Sequence, residues 1–202
     1  MPPSTILLAT TNAHKVAEFR ACLAGIPARL VTAEELGVRL PAVVEDGANS
    51  AEIARTKAVT IAQACRCAAL ADDTVLEVDA LQGRPGLRTA RYAGKHASRE
   101  ANCQKLLAEL TGVPDGSRQA RFVCCLQLAG PDGEPLASAR GECRGQILTA
   151  AEGTGGFGYD AFFWVAATGC SMAALDDPQR RRVTHRARAS QRLLEATWGL
   201  RS

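Results

Sequence analysis

Two adjacent aspartates, Asp72 and Asp73, are the clearest candidates for chemistry in this 202-residue chain. They follow a short apolar run, Ala68–Ala71, which predicts a strand that ends at the carboxylates. Because successive side chains along a strand point to opposite sides, one carboxylate could bind a metal ion while the other is anchored. Mg²⁺ typically takes one or two protein carboxylates together with waters and substrate phosphates. Glu45, in a predicted loop over Pro41–Gly47, could be a third carboxylate, and a turn with exposed acids is the alternative.

The segment Thr10–Lys15 could bind a phosphate, because it lies between a predicted strand, Thr5–Thr10, and a predicted helix over Lys15–Leu23. A helix N-terminus offers unpaired N–H groups and the positive end of the helix dipole. Threonine and asparagine side chains can donate to phosphate oxygens, and Lys15 adds a positive charge. A simple N-cap at Asn12 beside a surface lysine explains the same residues. The nucleotide-binding pattern G-x-x-x-x-G-K-[ST] is absent from the sequence.

A glycine-rich stretch, Gly153–Gly158, is a third candidate site. Its glycines allow the backbone to approach a ligand closely. Phe157 or Tyr159 could stack on a base, and Asp160 could accept hydrogen bonds from base or sugar groups. A mobile loop with one anchoring aromatic residue is the alternative.

An arginine-rich stretch near the end of the sequence contains no acid and includes His185. Guanidinium groups match the geometry of phosphate oxygens, although a run of arginines is usually a solvated helix face. No aromatic residues interleave with these arginines, which weakens the interpretation that they bind nucleic acid. The arginines are Arg180, Arg181, Arg182, Arg186, Arg188 and Arg192.

The composition is that of an ordinary globular domain, with 47% hydrophobic and 22% charged residues. The net charge of +3 does not point to nucleic acid. The eight cysteines form no C-x-x-C pair and no secretory leader precedes them, so we expect reduced, mostly buried thiols in a cytoplasmic protein. No apolar run approaches the roughly 20 residues that span a bilayer, so we expect no membrane partner.

The remaining patterns predict a mixed α/β fold, because helices alternate with strands early and a hairpin comes later. Asn49-x-x-Glu52 resembles a capping box that opens a helix. The other predicted elements are strands Ala28–Thr32 and Val75–Val78, a helix in Ser98–Leu110, a hairpin formed by Ala120–Leu128 and Leu136–Arg144, an apolar segment Phe162–Val165 and a helix Ala187–Trp198.

Four stretches together resemble the inosine/xanthosine triphosphate pyrophosphatase family: Ala9–Phe19, Ala71–Gly94, Gly153–Phe163 and Val183–Ala189. The resemblance implies a single domain over residues 1–202, with an elongated two-lobed α/β fold, a mixed central sheet flanked by helices, and an active-site cleft between the lobes. It implies a homodimer that depends on Mg²⁺, with Mn²⁺ as a possible substitute. The implied reaction cleaves ITP, dITP or XTP to the monophosphate and pyrophosphate.

The resemblance also assigns roles to individual residues. Glu45 and Asp73, with Asp72 beside them, are implied to be the metal ligands, and Asp73 is also the implied proton acceptor. The implied phosphate-binding and base-binding positions are Thr10, Thr11, Asn12, Lys15, Lys57, Thr74, Phe157, Gly158, Tyr159, Asp160, Arg180, His185 and Arg186.

The sequence departs from the family pattern at several positions. Val75 stands where glycine is usual, and Ser50 and Ile53 replace an aromatic residue and an asparagine. Ala161 replaces a proline and Arg180 replaces a lysine. Two alternatives therefore stay open: a nucleotide-binding module with little turnover, and an RNA- or DNA-binding protein that uses the arginines. The first would bind ITP without releasing pyrophosphate, and the second would bind random duplex with a steep salt dependence.

Overall fold

The computed structural model describes residues 2–200, which form eight strands and five α-helices. The strands are β1 (Thr5–Leu8), β2 (Arg29–Val31), β3 (Ala69–Val78), β4 (Pro85–Gly86), β5 (Gln119–Ala129), β6 (Pro135–Ile147), β7 (Phe163–Val165) and β8 (Cys170–Ser171). The helices are α1 (Ala13–Cys22), α2 (Ser50–Cys65), α3 (Arg99–Glu109), α4 (Asp177–Val183) and α5 (His185–Trp198). None of the helices described is both long enough and apolar enough to cross a membrane.

The strands form one open, mixed sheet in the order β2-β1-β3-β5-β6-β7-β8, with β4 paired to β3. The pairs β1–β2 and β1–β3 are parallel, whereas β3–β4, β6–β7 and β7–β8 are antiparallel. The predicted mixed α/β fold, with a central sheet flanked by helices, is confirmed.

The chain divides into two compact units, and β3, β5 and β6 each contribute residues to both. Within the described residues, the first unit comprises the chain up to Asp73, Cys124–Gly141 and the part from His185 onward. It has two apolar clusters. One packs α1 and α5 against the sheet through residues such as Phe19 and Leu193, and the other packs α2 through Ala58 and Ile61.

The second unit comprises Thr74–Val123 and Glu142–Thr184 and has its own apolar core. Leu106 and Leu110, within and at the end of α3, are fully buried in this core. Phe122 and Phe163 pack there with ring centroids 4.8 Å apart. Helix α3 and the glycine-rich loop therefore belong to one packed body.

Strand β3 differs from the prediction. A strand ending at the aspartates and a second one at Val75–Val78 were expected, but a single ten-residue strand runs through both carboxylates. Its second half continues because Leu76 pairs with Gly86, while Val75 and Leu76 are buried. Val75 thus occupies regular strand backbone, where glycine's conformational freedom is not required.

The predicted helix starts are confirmed at Asn12, Asn49 and Ser98, whose side chains each accept from backbone N–H groups of the first turn. The capping box is only partly as predicted. The Glu52 carboxylate accepts from the backbone N–H of Ala48 at 2.9 Å and from the Asn49 side chain at 3.0 Å, rather than from the N-cap backbone.

The side chains on both faces of strand β5 are covered, and ten of its eleven side chains are buried or half-buried. The reason is that its two faces pack in different clusters, with Leu126 and Leu128 in the cluster of α1 and α5, and Ala129 in that of α2.

All eight cysteines are free, four of them buried and four half-buried.

Candidate active site

The two central carboxylates lie on opposite faces of β3, as their adjacency in a strand requires. Leu70 packs in the apolar cluster of α1 and α5, so Asp72, two residues on, faces the same helices. Ala69 and Ala71 pack in the cluster of α2, so Asp73 faces that helix. One dipeptide therefore presents its two acids to two different sets of partners.

Asp72 lies in a buried cluster of charges. The Lys15 ammonium donates to both of its carboxylate oxygens, at 3.0 and 2.8 Å, and the Asp72 side chain is only 2% exposed. The Arg186 Nε atom lies 3.9 Å from the same carboxylate, and the Arg186 side chain is 4% exposed. Glu18 pairs with the other side of the Arg186 guanidinium. Two cations and two anions thus balance one another, and the buried Asp72 and Arg186 each have a partner of opposite charge, as buried charges require.

Helix α1 supplies half of this cluster because Lys15 and Glu18 are three residues apart and share one face. Burial lowers the pKa of Arg186, but Glu18 and Asp72 more than offset this effect and hold it above its ordinary value. Glu18 was not predicted from the sequence. Its spacing from Lys15 is a signal that could have identified it as a residue on the same face.

Asp73 has different surroundings on the other side of the strand. Lys57, from the middle of α2, places its Nζ atom 2.7 Å from Glu45 Oε1 and 3.5 Å from Asp73 Oδ1. Burial raises the pKa of Asp73, Lys57 lowers it, and Asp72 raises it again, with a net shift upward. The two carboxylates therefore converge on one position that a cation occupies.

This donor set fits Mg²⁺, which takes one or two carboxylates and completes its shell with waters and phosphate oxygens. Among residues 2–200 no group of three or more His, Cys, Asp or Glu side chains is arranged to hold a metal ion. Glu45 and Asp73 both lie next to Lys57. Asp72, predicted as a further ligand, pairs with Lys15 and lies near Arg186 on the other face of β3. A metal at Glu45 and Asp73 would therefore leave room for water and substrate oxygens.

The loop before α1 is fixed by its own hydrogen bonds. Asn12 Oδ1 accepts from the N–H groups of His14 and Lys15, at 3.0 and 3.4 Å, and Thr10 Oγ1 accepts from Asn12 N at 3.2 Å. The cap uses the oxygen of the Asn12 amide, so its NH₂ group is the part that can donate to a phosphate. Thr11 is exposed beside them.

In the second unit, Asp160 organises the glycine-rich loop. Its Oδ2 atom accepts from the N–H of Phe157 at 3.0 Å and lies 3.5 Å from Arg180 Nη1. Arg180 also donates to the carbonyl of Met172 at 2.6 Å. Gly156 has φ +73° and a Cβ there would lie 2.1 Å from Asp160 Oδ2, so only glycine fits. Arg180 and Asp160 therefore hold each other within this loop.

The two aromatic residues of the loop are placed differently. Tyr159 is buried and donates its hydroxyl to the carbonyl of Thr89 at 2.9 Å, which anchors the loop. Phe157 is half-buried, with the Arg99 guanidinium 5.5 Å from its ring centroid. Phe157 lines a pocket of about 370 Å³ beside α3, and Gly158 and Asp160 contribute to its wall. Arg99 was not predicted, and no sequence motif marks it.

Two predicted residues, Thr74 and His185, remain. Thr74 is half-buried in β3, directly after Asp73, and His185 is buried at the start of α5. The structure thus groups the predicted residues into three sets: the carboxylates with Lys15, Lys57 and Arg186, the loop before α1, and the glycine-rich loop with Arg180.

The fold and these sets define a mixed α/β protein with paired carboxylates and lysines suited to a metal ion and a polyphosphate. The sequence model of the Ham1 family matches residues 6–196, so the chain belongs to the Ham1 family. The resemblance seen in the sequence is confirmed.

Individual relatives agree with this placement. The chain is 44% identical over 184 residues to a dITP/XTP pyrophosphatase from Geobacter sulfurreducens, covering 91% of this chain and 92% of the relative. It is 40% identical over 194 residues to a dITP/XTP pyrophosphatase from Photobacterium profundum, covering 96% and 98%. The solved structure of a HAM1 protein from Coxiella burnetii superposes with a TM-score of 0.83 at 32% identity, covering 94% and 95%.

Proposed function

We propose that this chain hydrolyses the non-standard purine nucleotides dITP, ITP and XTP to the monophosphate and pyrophosphate. The observation that carries the proposal is the pair of carboxylates, Glu45 and Asp73, that converges beside Lys57 in a member of the Ham1 family. The names of the relatives supply the substrate class. Such an enzyme removes aberrant nucleotides from the cellular pool.

The reaction is the attack of water on the phosphorus that carries the nucleoside, with pyrophosphate as the leaving group. Asp73 orients the water and accepts its proton, as a partly buried carboxylate with a raised pKa can do. When bound between Glu45 and Asp73, Mg²⁺ would supply positive charge to the phosphate oxygens, and Mn²⁺ could replace it.

The phosphates are held by residues on and before the helices of the first unit. Lys15 and Lys57 provide two positive charges next to the carboxylates. Thr10, Thr11 and the Asn12 amide add hydrogen-bond donors at the N-terminus of α1. Because phosphoryl transfer depends mainly on positioning and charge, these residues stabilise the leaving pyrophosphate.

We propose that the purine base is bound by the residues to which the family resemblance assigns base recognition. Phe157 offers a half-buried ring, and Asp160 and Arg180 offer an acceptor and a donor. Hypoxanthine and xanthine carry a 6-oxo acceptor, whereas adenine carries an amino group that leaves such donors unpaired. The same assignment includes Tyr159, His185 and Arg186, while Gly158 and Thr74 are proposed only as substrate-binding positions.

A panel of nucleoside triphosphates tests the proposal. dITP, ITP, XTP, GTP and ATP are each incubated with the protein and Mg²⁺, and pyrophosphate is scored against orthophosphate. We expect pyrophosphate from the 6-oxo, non-standard bases and little from ATP. Orthophosphate as the product would make the protein a phosphatase, and tight ITP binding without any product would make it a binding module.

We also propose that the protein is a cytoplasmic homodimer that acts on free nucleotides rather than on nucleic acid. Sedimentation analysis at micromolar concentration should give twice the mass of the 21.3 kDa chain. Binding to random duplex DNA that weakens steeply with salt would contradict the second part of this proposal.

A further inference from the structure

We infer that Ile53 positions the metal ligand Glu45, by packing the segment Glu45–Asn49 against α2 through Gly47. The inference rests on the proposed function, because it assigns Glu45 to the metal site. Ile53 itself touches neither metal nor substrate, so it is a positioning residue.

Three residues of α2 hold this segment. Lys57 pairs with Glu45 at 2.7 Å, and the Glu52 carboxylate accepts from Ala48 N at 2.9 Å. Between these two polar contacts, the Ile53 side chain lies directly against Gly47. A Cβ at residue 47 would lie 3.0 Å from Ile53 Cγ1 and 3.1 Å from both Glu52 Cβ and the Ile53 backbone nitrogen, so residue 47 packs tightly against this turn of α2. The segment is thus fastened to one helix at three successive points.

The residue spacing along α2 matches the spacing along the segment Glu45–Asn49. Ile53 and Lys57 are four residues apart on α2, which places them on one face with a rise of about 6 Å. Glu45 and Gly47 are two residues apart, and two residues span at most about 7 Å. The contact of Gly47 with Ile53 therefore holds Glu45 at the level of Lys57, and Asp73 also lies next to this lysine.

The apolar contact between Ile53 and Gly47 is needed because the ion pair between Lys57 and Glu45 is partly exposed to solvent. Glu45 is 38% exposed and lies in a stretch with no helix or strand, and an ion pair at such a carboxylate is too weak to order a loop. Ile53 is only 3% exposed, and it is the buried side chain that touches this segment at Gly47. Its packing fixes the backbone two residues from the proposed ligand.

The test compares Ile53→Ala with Ile61→Ala in the full chain without nucleotide, with Mn²⁺ alone as the probe. Ile61 is a matched control, because it is also four residues from Lys57 on α2 and is 4% exposed, yet it packs in the apolar cluster of Leu7 and Val31. Mn²⁺ binding is followed by electron paramagnetic resonance, and stability by urea unfolding. We expect Ile53→Ala to weaken Mn²⁺ binding about tenfold, the loss typical of residues that support a ligand. Ile61→Ala should leave Mn²⁺ binding unchanged while also lowering the urea midpoint.

A double-mutant cycle shows whether Ile53 acts through Glu45. In a Glu45→Gln background the Ile53→Ala change should have no further effect on Mn²⁺ binding, and Ile53→Val should restore most of the affinity in the wild-type background. Equal losses for Ile53→Ala and Ile61→Ala, an undiminished loss in the Glu45→Gln background, or no Mn²⁺ binding by the wild type would each overturn the inference. Failure of the wild type to release pyrophosphate from dITP would overturn the proposed function instead, and the Mn²⁺ comparison would still judge Ile53.

Discussion

Asp72 and Asp73 are neighbours in one strand, yet their carboxylates have opposite surroundings. The Asp72 side is closed: Lys15, Arg186 and Glu18 surround a carboxylate that solvent does not reach. The Asp73 side is more open, with Lys57 bridging it to the partly exposed Glu45. The difference shows how the alternation of side chains along a strand separates a structural charge cluster from the carboxylates proposed to take part in the reaction.

The two faces of β3 are linked because the Asp72 face positions a residue that is proposed to act in the reaction. Lys15 is anchored by the buried Asp72, which fixes the direction of a lysine proposed to hold phosphate. Asp73 pairs with Lys57 and is the carboxylate proposed to bind metal and water. A buried charge cluster thus lies one residue away from the proposed reactive group, and substitutions on the two faces should separate loss of stability from loss of turnover.

The largest effect is expected for Asp73→Asn. The amide cannot accept the proton from water, so pyrophosphate release from dITP should fall about 10³-fold, within the range for a general base. The unfolding free energy should change by less than about 1 kcal/mol, because Lys57 keeps Glu45 as its partner. Steady-state turnover and urea unfolding of the same preparation measure both. Near-normal turnover would remove Asp73 from the reaction.

The next largest effect is expected for Asp72→Asn. The change leaves Lys15 and Arg186 with less negative charge in a buried site, which should lower the unfolding free energy by about 3 kcal/mol. Turnover should fall less than in Asp73→Asn, since the reactive carboxylate is kept. Urea unfolding is the deciding measurement, and an unchanged midpoint would show that the closed cluster does not stabilise the fold.

A smaller effect concerns the titration of Asp73 in the metal-free protein. Burial raises its pKa more than Lys57 lowers it, so the carboxyl should keep its proton to a higher pH than an ordinary aspartate. The proton-accepting form is therefore present above this raised pKa and is lost as the pH falls through it. Carbon-13 NMR, with the Asp73→Asn variant to assign the signal, gives the value. A pKa below the ordinary range would mean that Lys57 dominates over burial.

The smallest effect is expected at an exposed ion pair that also involves α1. Arg20 and Glu35 pair at 2.7 Å, with side chains 42% and 41% exposed. Ion pairs in solvent contribute little, so Glu35→Gln should leave turnover and the urea midpoint within error. A loss comparable to that of Asp72→Asn would contradict the distinction between buried and exposed charges on this helix.

The sequence predicted the elements that local patterns encode. The caps at Asn12, Asn49 and Ser98 follow from side chains that satisfy first-turn N–H groups, and the structure confirms them. The strand at Asp72 was predicted too short, since carboxylates usually end a strand. Here β3 continues because each acid has a cationic partner supplied by a distant helix, which a local pattern does not contain.

The sequence identified the residues of the candidate site, but not which lysine pairs with which carboxylate. Lys15, Lys57 and the two aspartates were all named from the sequence. Which lysine faces which acid depends on which helix covers each side of the sheet, a property of the tertiary structure. Glu18, Arg99 and the contact of Ile53 with Gly47 were missed for the same reason.

The claim that Asp73 directs water onto the phosphorus next to the nucleoside is tested most directly by hydrolysis of dITP in ¹⁸O-labelled water, with the products followed by ³¹P NMR. The expected result is one ¹⁸O atom in the monophosphate, none in the pyrophosphate, and product formation about 10³-fold slower with Asp73→Asn. Label in the pyrophosphate, release of orthophosphate, or unchanged product formation by Asp73→Asn would contradict the claim.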